Sequence, residues 1–152
     1  MNIFEILKKD HKTVSDLMNK LEPTIHRVFK NRDELFNRIK MELNIHSELE
    51  EKLFYSELKN YLETKYLIDN SLVEHNKIHN LLNELTLISK DSDKWSEKLH
   101  QLKQCIEHHV NEEEHELFSQ AKLVLSQEQI MEMGLQFRIE KDKLLHSTSK
   151  LK

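Results

Sequence analysis

The chain has 152 residues, 33% of them charged, with a net charge of −4 and one Gly, one Pro and one Cys. So little Gly and Pro leaves few residues suited to hairpins or long loops, which excludes most sheet architectures and points to an all-α domain. The absence of a basic block argues against a nucleic-acid partner. No run of about 18 apolar residues exists to span a membrane, and Cys105 alone forms no internal disulfide, so a reducing, cytoplasmic setting is expected.

The first helix is expected over residues 3–29. Phe4, Leu7, Val14, Met18, Leu21, Ile25 and Val28 recur in steps of three and four, the spacing of a bundle seam, with His11 on that same seam. Pro23 should kink or break this helix near Glu22. A turn near residues 31–33, with Asp33 as its cap, leads into a second helix over 34–62 with seam Leu35, Ile39, Leu43, His46, Glu50, Leu53. A third helix over 69–89 carries Leu72, His75, His79, Leu82 and Leu85 on its seam. The turn Lys90–Asp93 supplies Ser92 or Asp93 as cap for a fourth helix over 94–125, with seam Trp95, Leu99, Leu102, Ile106, His109, Glu113. Ser126-Gln127-Glu128-Gln129 reads as a capping box opening a fifth helix to about residue 145. Short connections make neighbouring helices antiparallel, so the fold class is an up-down-up-down four-helix bundle with an additional C-terminal helix, in one domain.

Seven seam positions that would ordinarily hold Leu or Ile hold His11, His46, Glu50, His75, His79, His109 and Glu113 instead. Two segments repeat His-x-x-x-Glu-Glu, at 46–51 and 109–114, and a third reads His75-x-x-x-His79. Residues four apart share one helix face. In an antiparallel bundle the starts of helices one and three meet the ends of helices two and four, so all seven fall near one depth at ~1.5 Å per residue. A buried carboxylate at a seam is costly unless paired or ligated, and metal ions relieve both the carboxylates and the imidazoles. Seven donors exceed the four of a structural zinc, so two ions sharing carboxylates fit better, and nitrogen and oxygen donors without thiolate suit iron, manganese or zinc. His26, His100, His108, His115 and His146 fall off the seams; His108 competes with His109, because a five-residue step to Glu113 also reaches the layer. Asp10 and Glu74, each preceding a proposed ligand, are candidates to hydrogen-bond a neighbouring imidazole, and Glu51 and Glu114 read as solvated or outer-shell acids.

With Asp10-His11, the segment His46 to Tyr55, Glu74-His75 and the segment His109 to Phe118 in view, the chain resembles the hemerythrin family in its bacterial HHE cation-binding form, over about residues 3–125. Ser56 and Ser119 stand where family members often have Pro, and the His109-to-Glu113 step is four residues where oxygen carriers use five ending in Asp. The resemblance implies a four-helix bundle around a non-haem di-iron centre. One iron would take His75, His79 and His109, the other His11 and His46, with Glu50, Glu113 and an oxo or hydroxo group bridging two iron ions; manganese or zinc is the lesser expectation. It further implies a protein that binds dioxygen, as carrier, store or sensor, with an open position on the two-histidine iron. Leu7, Val14, Leu43, Leu72, Leu102 and Ile106 are candidates to line that pocket. The alternatives are a redox enzyme at the same centre, reducing peroxide or nitric oxide, and iron storage or donation. The expected partner is dioxygen or another small diatomic, with no nucleic acid and no membrane. The expected state is a monomer, which as a sensor would need a separate protein partner.

Overall fold

The structure, a computed structural model, describes residues 1–23 and 32–150, with side chains to residue 147. Five helices account for nearly all of it, and no strand occurs among the described residues. Helix α1 is Ile3–Leu21, opened by Asn2, whose side chain accepts the Glu5 N–H at 2.9 Å. It ends where Pro23 removes a backbone donor, so the break expected near Glu22 is present as a single tight turn at 22–23. Ile25, His26 and Val28 lie outside the described residues. Helix α2 covers 32–58, so Asp33 sits inside its first turn rather than capping it. Helix α3 is Leu62–Leu87, seven residues longer at its start than the seam suggested. It is separated from α2 by a turn at 59–61 that ends with Tyr61 in extended backbone, and the buried Thr64 hydroxyl donates across that turn to the Leu58 carbonyl. Helix α4 covers 93–124, capped by the Ser92 hydroxyl, which accepts the Trp95 N–H at 3.2 Å. Helix α5 is Gln127–Lys150. The capping box forms as read: Gln129 N–H donates to Ser126 Oγ at 3.1 Å, and Ser126 N–H to Gln129 Oε1 at 2.8 Å.

Helices α2 and α4 each contain one wide π turn, at Glu51–Tyr55 and Glu113–Leu117. The Ser56 N–H reaches back to the Glu51 carbonyl, and the Phe118 N–H to that of Glu113. The extra residue per turn rotates everything downstream. Leu53, expected on the α2 seam, is therefore only half-buried, while Phe54 and Tyr55 turn into the core. The same rotation in α4 buries Leu117 and Phe118.

The core divides into two apolar clusters. One joins the start of α1, the end of α2, Ile68 of α3, the end of α4 and the inner side of α5, with Phe4, Phe54 and Phe118 packed edge to face. The other joins the end of α1, the start of α2, the end of α3 and the start of α4 around Phe36 and Trp95. This pairing of starts with ends is the antiparallel arrangement expected from short connections. Between the two clusters lies a layer of buried polar residues: His11, His46, Glu50, His75, His109 and Glu113.

Helix α5 lies over α1 and α2 and buries Ile130 and Phe137, while Met131 and Leu135 face solvent. It crosses the start of α1 at Gly134, the chain's sole glycine, where an added Cβ would stand 2.6 Å from the Met1 carbonyl oxygen and 2.9 Å from the Asn2 carbonyl carbon. Backbone atoms on one side and a helix on the other leave little room to yield. Gly134→Ala should lower stability by about 1–3 kcal/mol, the usual range for overpacking, seen as a lower thermal midpoint with helical content unchanged at 20 °C.

Candidate metal centre

The donors form two groups of four. His11, His46, Glu50 and Glu113 make one; His75, His109, Glu50 and Glu113 make the other, and within each group one donor atom per residue lies within 4.8 Å of the rest. Both groups share Glu50 and Glu113. Glu50 Oε1 stands 3.4 Å from His46 Nε2 and 3.1 Å from His75 Nε2. Glu113 Oε1 stands 3.2 Å from His11 Nε2, and its Oε2 stands 3.4 Å from His109 Nε2. Each carboxylate thus touches one imidazole of each group.

The other nitrogen of every ring is already committed. His46 Nδ1 donates to Asp10 at 2.9 Å, and His109 Nδ1 to Glu74 at 2.8 Å. His75 Nδ1 donates to Glu51 at 2.8 Å, and His11 Nδ1 to Glu114 at 2.6 Å. An ionised carboxylate only accepts, so each Nδ1 carries the hydrogen and each neutral ring presents its Nε2 lone pair inward. The arrangement has an approximate two-fold repeat. Asp10 serves His46 as Glu74 serves His109, and Glu51 serves His75 as Glu114 serves His11.

The donors fit cations on three counts. His11 Nε2, His46 Nε2, both oxygens of Glu50 and Oε1 of Glu113 are buried without a hydrogen-bond partner, a costly set of orphans. His75 Nε2 and His109 Nε2 face one another at 3.1 Å, lone pair to lone pair when both rings are neutral. Six carboxylates surround four imidazoles, and the ammonium of Lys141 reaches this cluster at 2.6 Å from Asp10 and 3.5 Å from Glu42. Two divalent ions would offset most of that negative charge. The same field acts on the rings when protons are the available cations. Burial disfavours a charged His46, but the nearby Glu50 charge and the hydrogen bond to Asp10 outweigh it and push its pKa up to about 10. For His109, burial is likewise outweighed by hydrogen bonds to Glu113 and Glu74, again to about 10. His11 and His75 are raised for the same reason, burial opposing and carboxylate hydrogen bonds prevailing. Burial alone would raise Glu113; the His109 and His11 rings, once protonated, donate Nε2–H to it across 3.4 and 3.2 Å and hold it well below the usual carboxylate range. Asp10 is also lowered, its burial outweighed by His46 and Lys141.

Six of the seven seam residues come together here. His79 does not join either group; its side chain is exposed, on the groove between α2 and α3. Ile78, one residue earlier, takes the inward position and is 5% exposed. Of the two adjacent histidines on α4, His109 is in the centre and His108 is exposed, 3.2 Å from the outer oxygen of Glu74. His100, His115 and His146 are exposed.

Tyr55 carries a polar contact that the seam pattern gave no reason to expect. Its buried hydroxyl donates to Glu113 Oε2 and stands 3.4 Å from His75 Nε2. It lies five residues past Glu50, as Phe118 lies five past Glu113, so the pseudo-repeat puts a hydroxyl beside one half of the centre only. Burial and the charges of Glu113 and Glu50 hold that hydroxyl protonated, well above the ordinary tyrosine range. Lys141 is the second such residue, visible only once α5 is seen lying across Asp10. Phe137 of α5 also meets the His46 ring, at 6.2 Å between centroids. A small cavity of about 20 Å³ adjoins the rings, lined on its apolar side by Val14, Leu43, Ile78, Ile106 and Val110. Leu7, Leu72 and Leu102 do not line it.

An antiparallel bundle holding two carboxylate-bridged histidine groups between two apolar clusters defines a helical cation-binding protein. The chain belongs to the hemerythrin HHE cation binding domain family, whose model matches residues 2–121. Its fold is that of an HHE cation binding domain-containing protein from Mycobacterium kansasii, with a TM-score of 0.84 and 22% identity over 97% of this chain and 89% of that one. It is also 27% identical over 147 residues to a DNA nickase from Nostoc sp. strain PCC 7120. That similarity takes in 95% of this chain but only 40% of the nickase. No helix among the described residues is long and apolar enough to cross a membrane.

Proposed function

We propose that the chain is a non-haem di-iron protein that binds dioxygen reversibly, as carrier, store or sensor. The observation that carries this reading is the pair of donor groups sharing Glu50 and Glu113, with four Nε2 lone pairs turned inward and every Nδ1 held by a carboxylate. Nitrogen and oxygen donors without thiolate suit iron, and a shared pair of carboxylates suits two ions better than one closed structural zinc. A redox-active pair of ions would supply electrons and a vacant coordination position for a small diatomic ligand. The chain's own part is to fix the imidazole tautomers and to limit water through the apolar wall of Val14, Leu43 and Ile106. The chain would work as a monomer in a reducing compartment.

A second reading, reduction of peroxide or nitric oxide at the same centre, draws on Tyr55. Its hydroxyl is a buried proton donor beside Glu113 and His75. Strand cleavage is not carried over from the cyanobacterial nickase. The shared span is a minor part of that protein, and a net charge of −4 offers no complement to a phosphate backbone.

Metal analysis with absorption spectra taken anaerobically and in air tests the proposal. Two irons per chain are expected, colourless when reduced, gaining visible absorption in air and losing it under vacuum. One zinc per chain would overturn the di-iron reading. Rapid irreversible oxidation with peroxide release would overturn reversible binding in favour of the redox enzyme.

A further inference from the structure

A groove of about 320 Å³ opens to solvent between α2 and α3. Its floor includes His75 of the metal centre and Glu51, the carboxylate that takes the His75 Nδ1 hydrogen. Its walls carry Glu48, Asn44, Asn76 and the exposed His79. Among the described residues no lysine or arginine lines it, whereas the groove on the α3–α4 side contains Lys77. A concave surface with only acidic fixed charge concentrates cations and repels anions. Imidazole, carboxylate and amide oxygens are also the donor types that replace water around a divalent ion.

The groove leads toward the centre. The small cavity beside the imidazoles shares four lining residues with it: Leu43, Ser47, His75 and Ile78. One layer of side chains therefore separates solvent in the groove from the donors, and Ser47 is the smallest of the four. Apolar clusters close the bundle on both sides of the polar layer, and α5 covers His46 and Asp10 through Phe137 and Lys141; the groove on the α3–α4 side reaches Glu74 but shares no lining residue with the cavity beside the imidazoles.

We propose that this groove is the uptake site for the centre's divalent cations, and that His79 is its outer ligand. His79 takes a partly hydrated ion together with Glu48 and passes it inward past Ser47 to His75. The spacing His75-x-x-x-His79 suits this use, since the two rings lie one turn apart along α3, one outside and one inside. The inference rests on the reading of the buried residues as a metal centre.

The test mixes cobalt(II), whose visible bands report a bound ion, with the metal-free full chain under anaerobic stopped flow. His79→Ala and Glu48→Gln should each slow loading about tenfold, within the range electrostatic focusing gives, while final stoichiometry and final spectrum match the unaltered chain. Ser47→Phe, which thickens the wall, should slow both loading and removal by a chelator. Loading of the His79→Ala chain at the unaltered rate would overturn the proposal. So would a lower final stoichiometry or altered final spectrum in that variant, which would place His79 among the centre's own ligands. If the unaltered chain takes up no cobalt, the metal-centre reading itself fails and takes this inference with it; either result with His79→Ala leaves that reading standing.

Discussion

Glu50→Gln is expected to abolish metal binding at both donor groups, not one. Glu50 is fully buried and contacts His46 in one donor group and His75 in the other. Gln keeps the volume and one oxygen but removes the charge that both cations need. Loss of a group that only orients a ligand already weakens metal binding by about 10- to 100-fold. Loss of a shared anionic ligand should weaken each position by more than about 100-fold on that scale, leaving metal content at background after dialysis. The contrast is His11→Ala, which touches one group and should leave one ion on His75 and His109. Metal analysis of the two variants, with far-UV helicity as the folding control, reads the difference. A Glu50→Gln chain that keeps one tightly bound ion would show that the two groups do not share this carboxylate.

Removing the metal should make stability fall as pH rises, across a window that the loaded protein does not show. The sign follows from the imidazoles. In the metal-free chain His46 and His109 have folded pKa values of about 10 against 6.5 unfolded. A raised pKa means that the folded state binds the proton more tightly, so the stabilisation is fully present below pH 6.5 and is lost as pH climbs toward 10. Each ring contributes on the order of a few kcal/mol, large against the ~5–15 kcal/mol of a typical domain. Glu113 acts oppositely: its lowered pKa gives stability that is present above the ordinary carboxylate range and lost as pH falls below it. Thermal midpoints of the metal-free chain should therefore be highest near pH 5–6 and decline toward pH 10. In the loaded protein metal replaces those protons, so the gap between loaded and metal-free midpoints should widen with pH, and metal should leave as acid protonates the ligands. A metal-free midpoint that rises steadily from pH 6 to pH 10 would contradict the assignment of buried, carboxylate-paired imidazoles.

Much of this centre can be read along the chain because its positions are periodic. His11, His46, Glu50, His75, His109 and Glu113 stand where a bundle seam calls for Leu or Ile, and short connections fix which helix ends meet. Asp10 and Glu74 are candidate imidazole partners because each precedes a proposed ligand, and each reaches across to the next helix, Asp10 to His46 on α2 and Glu74 to His109 on α4. His79 shows the limit of periodicity. Positions three and four past His75 straddle the seam, at about 60° to one side and 40° to the other. Packing against α2 and α4 assigns the inside to Ile78 and leaves His79 in the groove. The π turns show it again. A single added residue per turn moves Phe54 and Tyr55 inward and Leu53 away, and no Gly or Pro marks either site.

The helical class, the antiparallel order and seven candidate donors near one depth follow from local repeats and connection lengths along the chain; the burial of six of the seven together, with His79 left out, does not. How the buried donors divide emerges from three-dimensional packing: two groups joined by Glu50 and Glu113, Nδ1 of each ring held by an acid, Tyr55 beside one half and Lys141 from α5 beside the other. Those facts depend on helix rotation and on contacts between residues as many as 131 positions apart, such as Lys141 with Asp10. A few tens of degrees in the facing of a helix, which the spacing of apolar residues leaves open, separate a ligand from an exposed histidine.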